Sequence, residues 1–199
     1  MIAGDGQNDE LKNLGIETVT VPQEMLDNSR IDEKDFSVMT VDPTIDTVVS
    51  GYYESWTYHV LCYISLLVRG DGVTKGANYV SSNIDNWYST GERNKPAGGS
   101  IMKIIASSWE VNPLSIGKPS KNFFDLIMND HDLQDESKDK FIMIGDNLAT
   151  DIAFGINSGI DTLLVLSGIT RPDKSEEMLE KFKDFKPTYI LNSVKDLVD

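Results

Sequence analysis

A single cysteine, Cys62, stands among the 199 residues. No internal disulfide can form, which excludes a disulfide-stapled secreted domain. Cys62 lies in the most apolar run of the chain, Tyr58 to Val68, and reads there as a small core residue. That run is too short to span a bilayer. The first ten residues, Met1 to Glu10, lack both a basic stretch and a long apolar segment, so they do not read as a signal peptide. The expected compartment is the cytoplasm. Cations are scarce: 18 Lys and Arg face 32 Asp and Glu, a net charge of −14. This argues against sequence-independent nucleic-acid binding, which needs a basic footprint, and against docking on anionic membrane. The two histidines, His59 and His131, lack the companions of a zinc site or a catalytic triad and read as structural. There is no internal repeat and no low-complexity tract.

What is present is globular in composition, 40% hydrophobic and 25% charged. A chain of this length buries roughly 70% of its unfolded surface and can build a core without staples. Met1-Ile2-Ala3 reads as the end of a strand, and Leu11 and Leu14 as one face of a helix stopped by Gly15. Ile16–Val21 alternates and is β-branched, which predicts a strand. Residues 28–46 read as loop, 47–51 as a strand, 54–68 as a helix and 78–81 as a strand. Residues 85–99 read as a loop of functional character. Ile101, Ile104, Ile105 and Trp109 recur at helical spacing over 100–109. Trp56, Tyr58, Tyr63 and Trp109 fit core positions, whereas Trp87 and Tyr88, in a polar loop after Asp85, are candidates to meet a ligand or partner. After Pro113 strands and helices alternate: helices over 119–128, 152–157, 175–182 and 193–198, strands over 141–144, 162–166 and 188–191. Wholly apolar strands alternating with helices predict a parallel sheet covered on both faces. The fold class is therefore α/β, in two parts that meet near residues 112–117.

The second part carries the chemistry. In Phe141-Ile-Met-Ile-Gly-Asp-Asn-Leu-Ala-Thr-Asp151 a buried strand delivers Gly145 and Asp146 at its carboxyl end, the edge where open α/β sheets bind ligands. Asp146 has no helix of its own to cap. Asp151, five residues on, either supports a site or caps the following helix. Carboxylate oxygens of this kind suit Mg²⁺. In Gly117-Lys118-Pro119-Ser120 an ammonium sits beside a helix start, an environment that suits phosphate. It is not a P-loop, because Pro follows the lysine and the upstream glycine is absent.

Together these segments resemble the haloacid dehalogenase superfamily of phosphatases. Gly117-Lys118-Pro119-Ser120, then Ile144-Gly145-Asp146-Asn147-Leu148-x-Thr150-Asp151-Ile152, then Gly155, Gly159 and Leu166-Ser167-Gly168 follow in the order of its C-terminal half. The branch they are most similar to holds 4-nitrophenylphosphatases, phosphoglycolate phosphatases and ribonucleotide monophosphatases. Gly51-Tyr-Tyr53 through Tyr58, Ser82-Asn83-Ile84-Asp85 and Gly98-Gly-Ser100 are similar to segments of that branch's inserted cap domain.

The resemblance implies a cap domain over 1–112 and the C-terminal half of a Rossmann-like parallel core over 113–199. It implies a Mg²⁺-dependent phosphomonoester hydrolase acting on a small phosphorylated metabolite. Lys118 would be the catalytic lysine that binds the phosphoryl group, with Asn147 beside it. Asp146 would hold Mg²⁺, supported by Asp151. Asn83 and Asp85 would contact the substrate from the cap, and the cap could mediate a homodimer. The family's nucleophile belongs to an Asp-x-Asp pair after an N-terminal apolar strand. No such segment is found here, and Asp5 falls where the cap opens. The expectation is that the 199 residues are a truncated form, inactive alone and prone to aggregate through an exposed sheet edge. The alternative is a non-catalytic protein that binds phosphorylated ligands or dimerises.

Overall fold

In the computed structural model, which describes residues 5–70, 72 and 75–198, the chain divides into two compact units between Ser115 and Ile116. The expected Met1–Ala3 strand end lies outside the described residues. Among the described residues no helix is long and apolar enough to cross a membrane.

The first unit opens with helices α1 (Asp5–Asn13), α2 (Gln23–Asp27) and α3 (Glu33–Ser37). Its sheet is built from β1 (Thr47–Ser50), β2 (Asn78–Ser81) and β5 (Leu114–Ser115), all parallel in the order β1-β2-β5. Helices α4 (Tyr58–Arg69) and α5 (Gly98–Trp109) and a hairpin of β3 (Trp87–Ser89) and β4 (Asn94–Pro96) complete it. Helix α4 forms because Val60, Ile64, Leu67 and Val68 recur at helical spacing and bury together. Thr57 caps it: its hydroxyl accepts from Val60 N–H at 3.1 Å and donates to the Met25 carbonyl at 2.8 Å. Val48, Tyr79, Met102 and Ile105 close the core against that face.

Several expectations for this unit are corrected. Ile16–Val21 forms no strand. Alternation supplies a sheet-like surface, but a strand exists only by pairing, and β1 pairs with β2 alone among the described residues. Val21 instead turns onto the core, while Ile16 and Val19 remain about half exposed. The loop expected over 28–46 holds α3, a single turn capped by Asp32. The loop expected over 85–99 holds the β3–β4 hairpin. Tyr58 is 64% exposed rather than core, because the first residue of α4 precedes its buried stripe. Cys62 is half-buried, and that burial pushes its thiol pKa up.

The second unit begins with α6 (Lys121–Asp130), capped by Ser120. It continues through β6 (Ile142–Gly145), one π-helical turn (Leu148–Ile152), α7 (Ala153–Ser158), β7 (Asp161–Val165), α8 (Ser175–Lys181) and β8 (Tyr189–Leu191). The three strands are parallel in the order β6-β7-β8. Phe124 and Met128 of α6 pack on Phe154 of α7, with Phe141 and Met143 beside them. A separate cluster joins Leu148, Ile152 and Leu164 to Met178 and Leu179 of α8 and to Phe182 and Phe185 after it. The expectation of a sheet covered on both faces fails at β6, an edge strand whose Ile142 and Ile144 are 46% and 36% exposed. The segment 193–198 is a single 3₁₀ turn closed by a Ser193–Asp196 capping box, too short for an α-helix.

Candidate phosphate and metal site

The second unit brings Lys118, Asp146, Asn147 and Asp151 together at the carboxyl end of β6. Gly145 ends the strand. A Cβ there would stand 2.3 Å from Asp151 Cβ, so only glycine lets Asp151 fold back over the strand end. Asp151 lies in the π-helical turn and is 95% buried, with a relative exposure of 5%. Its Oδ2 accepts the backbone N–H groups of Asp146 and Asn147, each at 3.1 Å. Its Oδ1 accepts Lys118 Nζ at 2.6 Å. Two backbone donors and an ammonium offset the cost of burying that carboxylate. Asp151 does not cap the helix. Asn147 caps the π-helical turn, its Oδ1 accepting from Ala149 N–H at 3.0 Å.

Lys118 arrives from the segment before α6. Its side chain is 40% exposed although its ammonium is held at a buried carboxylate. An ammonium has three donors. One serves Asp151, and the other two have no partner among the described residues. The lysine is thus a pinned cation with free donors.

Asp146 is held differently. Its Oδ2 accepts Ile169 N–H at 2.7 Å, and its carbonyl accepts Thr170 N–H at 3.0 Å. A Cβ on Gly168 would stand 1.7 Å from Asp146 Oδ2, so the loop after β7 wraps the carboxylate only because that position is glycine. Asp146 Oδ1 accepts no hydrogen bond from the described residues. The two carboxylates therefore have different chemistry: both Asp151 oxygens accept hydrogen bonds, and Asp146 keeps one oxygen for a ligand. The Thr170 hydroxyl beside this loop is fully buried without a hydrogen-bond partner.

For Mg²⁺ the donor set fits in part. Mg²⁺ is bound by one or two carboxylates, with waters and substrate phosphate filling its shell. Asp146 can be such a carboxylate; both Asp151 oxygens already accept hydrogen bonds, which leaves it less free to be one. Among the described residues no group of three or more His, Cys, Asp or Glu could hold a metal. Asn83 and Asp85 belong to the first unit, in the loop between β2 and β3. The Ile169 amide went unforeseen in the sequence because a backbone donor leaves no mark in residue type. Gly168 entered only as part of a motif, without its role as the space beside Asp146.

A family profile described as HAD-hydrolase-like matches residues 115–197, the segment that builds this site. Phosphoglycolate phosphatase 2 of Arabidopsis thaliana is 29% identical over 199 residues, 100% of this chain and 62% of that protein. Over residues 115–197 the chain is similar to the haloacid dehalogenase superfamily. An acid sugar phosphatase of Staphylococcus haemolyticus is 35% identical over 156 residues, covering 78% of this chain and 53% of its own length. The crystal structure of a 4-nitrophenylphosphatase from Thermotoga maritima superposes with a TM-score of 0.63 at 26% identity, over 98% of this chain and 79% of that one. As a haloacid dehalogenase relative the chain is partial in extent, spanning between 52% and 62% of the length of the curated proteins it matches.

Proposed function

We propose that the second unit is the phosphate- and metal-binding part of a Mg²⁺-dependent phosphomonoester hydrolase acting on a small phosphorylated metabolite. The observation that carries this reading is the bond from Lys118 to Asp151, whose second oxygen is fixed by the Asp146 and Asn147 amides. It joins two motifs 33 residues apart in sequence around one strand end. The names of the relatives, phosphatases on phosphoglycolate, sugars and nitrophenyl esters, support the reaction class.

Phosphoryl transfer depends on positioning and on neutralising the charge of three equatorial oxygens. Lys118 binds and orients the phosphoryl group through its two free donors. Asp151 is a positioning residue that holds the ammonium in place. Asp146 offers Oδ1 to Mg²⁺, while Ile169 N–H and Gly168 fix that carboxylate's orientation. Mg²⁺, when bound, withdraws charge from the phosphoryl oxygens. Asn147 Oδ1 is engaged in its cap, so any contact with substrate comes from Nδ2. In this reading Asn83 and Asp85 meet the leaving group, the aspartate nucleophile and its acid/base partner come from polypeptide beyond these 199 residues, the protein works in the cytoplasm, and the first unit can pair with a second copy.

The experiment is hydrolysis of 4-nitrophenyl phosphate by the 199-residue chain joined to an Asp-x-Asp-bearing strand segment. Lys118→Met is expected to lower kcat by about 10²–10³, the scale of losing one charge-stabilising donor. Asp146→Asn is expected to abolish Mg²⁺ binding and the activity with it. Turnover indifferent to both substitutions would overturn the reading. A second reading, phosphate binding without turnover, is favoured by one observation: Asp146 is the only open carboxylate at the site among the described residues. Tight phosphate binding without hydrolysis in the joined protein would select it.

A further inference from the structure

Among the described residues, four buried side-chain atoms lack a hydrogen-bond partner: Trp56 Nε1, Asn83 Oδ1, Ser158 Oγ and Thr170 Oγ1. Of these, Thr170 belongs to the loop that holds Asp146. The Thr170 N–H donates to the Asp146 carbonyl at 3.0 Å, and the Ile169 N–H donates to Asp146 Oδ2 at 2.7 Å. A Cβ on Gly168 would stand 1.7 Å from that same oxygen. Three successive residues thus close on Asp146, at its carbonyl and at its carboxylate, and the last of them carries the orphaned hydroxyl.

A side chain that only filled this space would be valine. Valine has the shape of threonine, and Thr170 is fully buried, so its unpaired hydroxyl costs stability that the apolar isostere would not. A buried polar group left unpaired in a binding loop calls for a role there. The neighbouring carboxylate supplies one. Each oxygen of an ionised carboxylate offers about two acceptor positions. The Ile169 N–H takes one of them on Asp146 Oδ2. A single donor lets the carboxylate pivot about its Cβ–Cγ bond, whereas a second donor on Oδ2 fixes the direction in which Oδ1 faces a cation. Threonine has staggered χ1 positions, and exchange among them re-aims the hydroxyl while the side chain fills nearly the same space.

We propose that Thr170 is a positioning residue for Asp146: its buried hydroxyl turns onto Asp146 Oδ2 when Oδ1 takes a divalent cation, and locks the carboxylate in its ligating orientation. This rests on the reading of Asp146 as the metal ligand. The hydroxyl trades stability of the protein alone for affinity toward the cation. Hydrogen-bond partners of a metal ligand are worth about 10–100-fold in affinity, and one of two donors belongs at the lower end.

The test uses the full 199-residue chain, with Mn²⁺ titrated as the probe and amide broadening at Gly145–Asn147 and Gly168–Thr170 as the readout. Thr170→Val is expected to weaken Mn²⁺ binding about tenfold and to raise the urea midpoint measured without metal. Thr170→Ser keeps the hydroxyl and is expected to keep the wild-type affinity. Ser158→Ala removes the other fully buried orphan hydroxyl, on a residue of α7 whose carbonyl accepts Lys138 Nζ at 2.6 Å, and is expected to leave Mn²⁺ binding unchanged. Wild-type affinity in Thr170→Val, or equal losses in Thr170→Val and Thr170→Ser, overturns the proposal. Should Thr170→Val fail to fold, Thr170→Ala set against Thr170→Ser decides in the same way. If Asp146→Asn leaves the wild-type broadening in place, Asp146 is not the ligand, and the reading of the site fails together with this proposal.

Discussion

Strands β6 and β7 are written in the same alphabet yet meet opposite fates. Ile142-Met-Ile144 and Thr162-Leu-Leu-Val165 are both short, apolar and followed by loops that build the candidate site. In β7 every residue from Thr162 to Val165 is buried, with a paired neighbour on each edge. In β6 one edge has no partner among the described residues, and Ile142 and Ile144 are only partly covered. Apolar composition reports that a strand is suited to burial. Whether burial occurs depends on which strands and helices are there to provide it.

The largest expected effect comes from truncating the buried strand. Leu164, fully buried between Leu148 and Ile152, should lose about 2–5 kcal/mol of stability as Leu164→Ala, read by urea denaturation. Ile144→Ala should cost less, about 1 kcal/mol, because part of its side chain is already in solvent. Equal losses at both positions would mean that β6 is covered.

The exposed row on β6 also predicts self-association of the 199-residue chain, through an open edge bearing apolar side chains. Ile142→Lys with Ile144→Thr should shift its sedimentation profile toward the monomer without lowering the melting temperature. A monodisperse, cooperatively melting wild-type monomer would contradict this.

The two carboxylates sharpen the same contrast between engaged and open groups. Asp151→Ala leaves two buried N–H groups and an ammonium unpartnered, and should cost about 2–3 kcal/mol. Asp146→Asn keeps the acceptor for Ile169 N–H, so stability should hold within about 0.5 kcal/mol while metal binding is lost.

The smallest effect concerns pH. Hydrogen bonding to Glu54, then to Tyr88, pushes the Tyr52 pKa up to about 12. The free phenol titrates near 10. A pKa raised by folding gives stability that is fully present below about pH 10 and is lost as the pH rises through about 12. Burial also raises the Tyr79 pKa, so phenolate absorbance should show a late phase of which Tyr52→Phe removes only the Tyr52 part.

The α/β class and the parallel order of the second unit could be read from the sequence, because apolar strands alternating with helices have few other solutions. That Lys118, Asp146 and Asp151 come together was legible as well, through the order and spacing of the two motifs that carry the resemblance. Their division of labour was not. Nothing in the residue types says that Asp151 would be filled by two amides and a lysine while Asp146 kept an oxygen free. The Ile169 amide and the hairpin at 87–96 escaped for a related reason: both depend on backbone pairing between distant segments, and pattern along the chain reports side chains. Ile16–Val21 shows the converse, a strand-like pattern that forms no strand.

The central claim is that Asp146 is the open metal ligand beside a pinned, phosphate-binding Lys118. Paramagnetic broadening by Mn²⁺, used in place of Mg²⁺, tests it directly on the 199-residue chain by amide NMR. The account predicts broadening centred on Gly145–Asn147 and Gly168–Thr170, lost in Asp146→Asn and retained in Lys118→Met. Broadening that survives Asp146→Asn, or that spreads over the acidic surface with no focus at these loops, would contradict it.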